Sequence, residues 1–266
     1  MLPGLVQALH SQTHAVGRIV GVDTGSRDRS GAVLADLIGQ DAVFGMDRAT
    51  GFGQAVWGAL RRAPALRPDS SGQPQVEWVW LLHDDCEPTS ETLERLLQAA
   101  SRDRSVVVFG PKVLDGIDHR TLREVGISID RSGRRVTGID LGEIDQGQHD
   151  HNRAVLAVGS AGMLIRRDAW EQLGGFDTSL RLLRDDLDFC WRVHARGYRV
   201  QVVTDAILYH RELTARRGRV PEGTTARRLD RRNALYVLAV NLPLLSMLWT
   251  MAGCIGGTRQ SGLSLP

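Results

Sequence analysis

The segment Trp78-Val79-Trp80-Leu81-Leu82-His83-Asp84-Asp85-Cys86-Glu87-Pro88 constrains this chain more than any other. A short apolar run rich in Val, Leu and Trp, bounded by breakers, reads as a buried strand. It ends in two adjacent carboxylates, and a proline follows. Open α/β sheets present ligand-binding groups in this way, at the carboxyl ends of their strands. Like charges side by side repel, so Asp84 and Asp85 call for a cation or for hydrogen-bond donors. Hard divalent ions such as Mg2+ or Mn2+ take carboxylate and phosphate oxygens together, so one reading is a metal site that grips a phosphorylated substrate. The other is a strand end whose acids cap the next helix, because Pro88-Thr89-Ser90-Glu91 has the form of a helix start.

The elements around this segment alternate. Hydrophobic spacing and breakers predict helices over 5–11, 30–38, 54–61 and 89–100, and strands over 18–22, 42–44 and 106–111. Strand, helix, strand, helix, strand is the signature of a doubly wound parallel sheet. A Pro/Ser/Gly-rich surface loop over 67–75 interrupts the series, and 112–153 reads as small antiparallel strands and loops. Further on come an apolar segment over 155–165, a helix over 167–173 closed by Gly174-Gly175, a helix over 185–194, and strands over 200–203 and 206–210.

Five places carry chemistry besides the paired acids. The strand at 18–22 runs into Asp23-Thr24-Gly25-Ser26, a loop able to approach a ligand closely. Gly51-Phe52-Gly53 opens a helix where backbone N–H groups can face phosphate. Gly159-Ser160-Ala161-Gly162 permits close approach to a ligand, or simply tight packing. The helix at 185–194 begins Asp185-Asp186-Leu187-Asp188, more carboxylates than capping needs; an acid beside like charges has a raised pKa and can act as a general base. A well-capped amphipathic helix is the plainer account of the same residues. His210 closes its strand, as a structural residue or a metal ligand.

Composition narrows the class. A chain of 266 residues with 42% apolar and 24% charged residues suits a soluble globular protein of one large α/β domain or two small ones. A net charge of +2 is too small to imply nucleic acid. Basic residues do gather late, at Arg211, Arg216, Arg217, Arg219, Arg227, Arg228, Arg231 and Arg232, which suits phosphate or a membrane surface. Cys86, Cys190 and Cys254 lie far apart, so neither a disulfide framework nor a zinc ribbon is indicated. Residues 235–257 carry no charge and are long enough to span a bilayer, or to pack on the domain as a helical hairpin.

Taken together, the ordered motifs from Leu2 to Asn241 resemble the family 2 glycosyltransferases of the GT-A fold. Val22-Asp23-Thr24-Gly25-Ser26-Arg27-Asp28 is similar to the family's VDNGSxD loop, with Thr24 in place of Asn. Thr50-Gly51-Phe52-Gly53-Gln54-Ala55 resembles its GFGxA segment, and Leu82 to Pro88 its D-x-D region. The span from Gly159 to Arg167 followed by Gly174-Gly175-Phe176-Asp177 resembles the acceptor-side pattern. Asp185-Asp186-Leu187-Asp188 through Arg192 resembles the E-D-x-D-x-x-x-R helix, and Arg232-Asn233 an Arg-Asn pair that precedes the C-terminal helices.

The resemblance implies a GT-A, Rossmann-like mixed sheet flanked by helices over 1–233, with a hydrophobic segment and tail over 234–266. It implies inverting transfer of a sugar from a UDP, dTDP or GDP donor to a cell-envelope glycan or lipid-linked acceptor, at the cytoplasmic face of a membrane. A divalent cation, Mn2+ or Mg2+, would be held by Asp85 and His210, with Asp84 on ribose or metal. Asp186 would be the general base, with Asp185, Asp188 and Arg192 orienting it. Asp23 would read the nucleobase, while Gly51, Gly159, Ser160 and Ala161 would approach substrate. His83 stands where the first acid of a three-acid run often lies. The family's first strand, which ends in Thr-Tyr-Asn and lines the base pocket, is expected to be absent, because the chain starts in the helix after it. That leaves a sheet edge open and points to a fragment of a longer membrane-associated enzyme. A nucleotidyltransferase, or an inactive nucleotide- or glycan-binding domain, is the alternative.

Overall fold

The computed structural model describes residues 1–64, 75–130, 132–211 and 224–243. The chain opens with α1 (Leu2–His10), β1 (Gly21–Asp23), α2 (Ser30–Ile38), β2 (Val43–Gly45) and α3 (Phe52–Arg62). The middle holds β3 (Trp78–Trp80), β4 (Cys86–Pro88), α4 (Thr92–Arg102), β5 (Val106–Asp115), β6 (Leu122–Glu124), β7 (Ser128–Ile129), β8 (Arg135–Val136) and β9 (Arg153–Ala154). The last part is β10 (Leu164–Arg166), α5 (Arg167–Leu173), α6 (Asp185–Ala195), β11 (Arg199–His210) and α7 (Ala226–Asn241).

The result is a mixed α/β fold, not the all-parallel sheet that the strand–helix alternation predicts. The main sheet runs β3-β10-β5-β11-β4, and of these pairs only β5 with β11 is parallel. β1 and β2 pair in parallel as a separate two-stranded sheet. Among the described residues β1 has β2 as its ladder partner, and β3 has β10. The alternation failed as a guide because β10 follows a long excursion rather than a crossover helix, and so enters antiparallel between β3 and β5.

Two strands outrun their sequence signals. β5 continues through Lys112 to Asp115 with every residue buried. The charge is tolerated because the Lys112 ammonium lies 2.7 Å from Asp145 and 2.6 Å from Asp150. The stretches at 200–203 and 206–210 are one strand, β11, whose register against β5 slips between Val203 and Ile207. At the slip, Asn152 Oδ1 accepts the Thr204 N–H at 2.9 Å, replacing a ladder bond.

Helices cover both faces of the main sheet. α4 lays Leu93, Leu96, Ala99 and Ala100 on Val106, Phe109 and Leu164. On the other side Phe189 and Val193 of α6 join Trp170, Phe176, Val107 and Ile165. α7 crosses positions 233–234 as one helix, with Leu229, Asn233, Ala234, Val237 and Leu238 buried. The uncharged stretch at 235–257 is described only to Pro243, and no helix among the described residues is long and apolar enough to cross a membrane. Arg216, Arg217, Arg219, Cys254 and most of the loop at 67–75 lie outside the described residues.

Candidate active site

Sheet register builds one half of the site. β4 follows directly on Asp84-Asp85 and pairs antiparallel with the end of β11, setting His210 opposite Cys86. The same ladder brings the Arg211 N–H to the Asp85 carbonyl at 3.2 Å. Asp85 is thereby buried, 4% exposed, with its Oδ1 3.1 Å from His210 Nε2. His83 completes a group whose three ligand atoms lie within 4.8 Å of one another. Its ring packs edge-on to Phe52 at 4.9 Å, and its Nε2 lies 3.1 Å from Ser160 Oγ.

The electrostatics of this half favour a cation. Burial, then the neighbouring His210, lowers the His83 pKa to about 4, so at neutral pH the ring is uncharged and keeps a lone pair. Metal ligation requires that form of histidine. Two imidazoles and a carboxylate fit a divalent transition ion better than Mg2+, which prefers an all-oxygen shell. Burial pushes the adjacent Cys86 thiol far up, which removes it as a thiolate ligand.

A turn builds the other half. Leu183 and Arg184 both adopt left-handed backbone, φ 67° and 69°, and α6 starts immediately after them. Its acids point inward: Asp185, Asp186 and Asp188 are all buried. Burial first, then the charge of Asp186, holds the Asp185 carboxyl well above the usual carboxylate range. Asp186 Oδ1 accepts the Leu187 N–H at 2.8 Å. Asp188 is fully engaged, taking Arg192 Nε at 2.8 Å and Asn241 Nδ2 at 2.8 Å. Arg192 itself donates to the carbonyls of Leu173 and Gly175 at 2.8 and 2.7 Å. Asp188 and Arg192 thus brace α6 against the Gly174-Gly175 turn, while Asp185 and Asp186 form the acid pair.

The two halves meet. The charge of Asp186 acts on His83 across the site and on Glu124 of β6. Glu124 is buried, pairs with Arg135, and accepts the Gly159 N–H at 2.6 Å. A Cβ at position 159 would stand 2.9 Å from the Glu124 carboxylate, so a larger residue there would push that carboxylate aside. Ser160 and Ala161 follow, both buried, with Ser160 on His83. In the loop after β1, Asp23 Oδ1 accepts the Ser26 N–H at 3.0 Å. Gly51 lets α3 close on the turn before α6, since a Cβ there would come within 3.0 Å of Arg181. Its N–H is taken by Gln54 at 3.2 Å. Phe52, the next residue, touches both His83 and Phe176.

Residues 39–233 match the family described as "Glycosyltransferase like family 2", which covers more than half of the chain. The chain belongs to this glycosyltransferase family. It is 26% identical over 227 residues to an N-acetylglucosaminyl-diphospho-decaprenol L-rhamnosyltransferase of Mycobacterium tuberculosis, a match that spans 79% of this chain and 72% of that protein. It is 28% identical over 166 residues to the O-antigen biosynthesis protein RfbC of Myxococcus xanthus, covering 60% of this chain but only 13% of that protein. The fold is that of GalNAc-T7, solved with UDP, GalNAc and Mn2+, at a TM-score of 0.63 and 18% identity; the match covers 88% of this chain and 44% of that one.

As a glycosyl-transfer enzyme, the protein has a polar site with a metal-competent group at one wall and an acid pair at the other. Two members escaped the sequence analysis as site residues. His83 was noted only as a departure from an acidic pattern, yet it sits in the metal-competent group. Glu124 did carry a signal: in Leu122-Arg123-Glu124 the alternation places a carboxylate on the same buried side as a leucine.

Proposed function

We propose that this glycosyltransferase moves a sugar, with inversion, from a nucleoside diphosphate donor to a cell-envelope glycan or lipid-linked acceptor. The observation that carries this reading is the packing that joins the His83–Asp85–His210 group to the acid helix: Phe52 lies 4.9 Å from His83 and 6.1 Å from Phe176, which packs at 5.4 Å on Phe189 of α6. His83, Asp85 and His210 would hold a divalent cation, with Mn2+ favoured by the nitrogen donors. Such an ion, when bound, offsets the charge that develops on a diphosphate leaving group. Asp186 accepts the acceptor hydroxyl proton. The freed oxygen forms its bond to the anomeric carbon on the face opposite the diphosphate. The bond from that carbon to the diphosphate oxygen breaks, and its electron pair leaves with the nucleotide. Asp186 is buried, which limits the bulk water that reaches its carboxylate.

The names of the relatives support the acceptor class, since one acts on a decaprenol-linked sugar and the other serves O-antigen synthesis. A lipid-linked acceptor in turn suits the cytoplasmic face of a membrane. The test is binding and transfer with UDP, GDP and dTDP sugars, with and without Mn2+. Stabilisation by one nucleotide, with metal and with Asp85 intact, followed by transfer that Asp186→Asn abolishes, is the expected result. Binding without any transfer would replace this reading with that of an inactive nucleotide-binding domain.

A further inference from the structure

The acid pair stands on two consecutive residues in a backbone conformation that side chains disfavour. Leu183 and Arg184 lie at φ 67° and 69°, the left-handed region in which a Cβ meets the carbonyl. Such strain persists only where the surroundings over-determine it. The N-cap residue of α6, Arg184, makes no side-chain capping bond, and the Asp186 carboxylate takes only an amide inside the first turn, so neither holds the carbonyls of the turn that precedes the helix.

α7 does. Asn233 is 1% exposed, and its Nδ2 donates to the Leu182 carbonyl at 2.8 Å and the Leu183 carbonyl at 2.9 Å. Its Oδ1 is itself fixed by Arg232 at 3.0 and 3.1 Å. One turn earlier, Asp230 takes the Arg184 guanidinium through both oxygens, at 2.6 and 2.9 Å, and a third arginine nitrogen reaches the Gly133 carbonyl. Tyr236 Oη donates to Asp177 at 2.7 Å, at the start of the same loop, and Asn241 reaches Asp188. Asp230, Asn233, Val237 and Asn241 recur at spacings of three to four residues, which places them along one side of the helix. That side is applied to the turn and to α6.

We infer that Asn233, backed by Asp230 on Arg184, is a positioning residue for glycosyl transfer: it holds the Leu183–Arg184 turn in its left-handed state and thereby sets where Asp186 points. The inference rests on Asp186 acting as the base. It assigns the C-terminal helix to the catalytic machinery, although none of its residues belongs to the acid pair or the metal-competent group. Removing the amide leaves two carbonyls without their donor and lets the turn relax toward ordinary backbone, carrying the first turn of α6 with it.

The test uses the strain itself. Asn233→Ala is expected to lower kcat at least 30-fold while leaving KM for the donor and nucleotide-dependent thermal stabilisation within twofold. Glycine accepts a φ near 67° without strain, so Leu183→Gly in the Asn233→Ala background is expected to restore a third or more of the lost kcat. Asp230→Asn, a milder change on a half-exposed side chain, should lower kcat five- to tenfold and serves if Asn233→Ala does not fold. An unchanged kcat in Asn233→Ala, or in Asp230→Asn where that variant is used, overturns the inference. So does a loss that Leu183→Gly fails to relieve, which would mark Asn233 as general packing. A parent enzyme that binds nucleotide but transfers no sugar would instead remove the catalytic reading on which the inference stands, and the two failures are told apart by the parent's activity.

Discussion

The two walls of the site are held by different means. The His83–Asp85–His210 wall is set by strand register: β4 pairs with the end of β11 so that His210 lies opposite Cys86 and the Arg211 N–H meets the Asp85 carbonyl, and a slip of one residue would turn these side chains to the other face. The Asp185–Asp186 wall is set by a left-handed turn that side chains of α7 keep in place. A ladder distributes its constraint over many bonds, so single substitutions beside it change chemistry more than geometry. A clamped turn concentrates its constraint on a few side chains, so geometry and chemistry fail together. The first arrangement suits the cation proposed for it; under the second, a small rotation of the helix would change the aim of the base proposed there.

The largest expected effect breaks the pair of walls cleanly. Asp186→Asn should lower kcat by roughly 10²–10⁴-fold, the range for a lost general base, and leave metal-dependent nucleotide binding intact by calorimetry. Weakened nucleotide binding in that variant would mean that Asp186 belongs to the donor side. Asp85→Ala attacks the other wall. At nucleotide concentrations about 100 times Kd the parent should gain roughly 5–10 °C in Tm with Mn2+, and the variant should gain none. If the variant keeps that gain, the cluster is not the metal site.

Smaller effects sharpen the contrast. Glu124→Gln removes the charge that holds Arg135 and weakens the bond to the Gly159 amide. Burial outweighs those partners and holds the Glu124 pKa up, so losing the charge offsets losing the ion pair: denaturant unfolding should change by under about 1 kcal/mol, while Ser160 loosens from His83, read as a changed His83 imidazole signal by NMR. The smallest effect tests the acid pair alone. The folded state raises the Asp185 pKa, so folding binds protons there: the stability of the parent is complete below the unfolded value and is lost as pH rises toward the folded one. Asp185→Asn is therefore expected to raise Tm by roughly 2–4 °C at pH 8 and to converge on the parent near pH 4. A stabilisation that grew toward low pH would reverse the assigned direction.

Much of the site was legible because its motifs are local. Asp84-Asp85 at the end of an apolar run, the glycines at 159 and 162, and the acids opening α6 each carry their signal within a few residues. Their individual duties were less legible. Asp188 and Arg192, singled out with the acid pair, are taken up by Asn241, Leu173 and Gly175, partners distant in sequence. Gly51, a candidate for phosphate approach, also lies against Arg181, where a Cβ would come within 3.0 Å. The sheet was misread where helix–strand alternation stood in for pairing, because no local pattern shows that β10 inserts antiparallel between β3 and β5.

The amino-acid sequence by itself determined the family, the strand that ends in two acids, and the acid-rich helix, because these depend on hydrophobic periodicity and on residues adjacent in the chain. Only the tertiary structure decided that His83 joins Asp85 and His210, that Glu124 holds the Gly159 loop, and that α7 clamps the turn before the acids. Apart from His83 and Asp85 themselves, each of these contacts links segments tens of residues apart or more, and is fixed by strand register and helix packing, which depend on the whole chain collapsing at once.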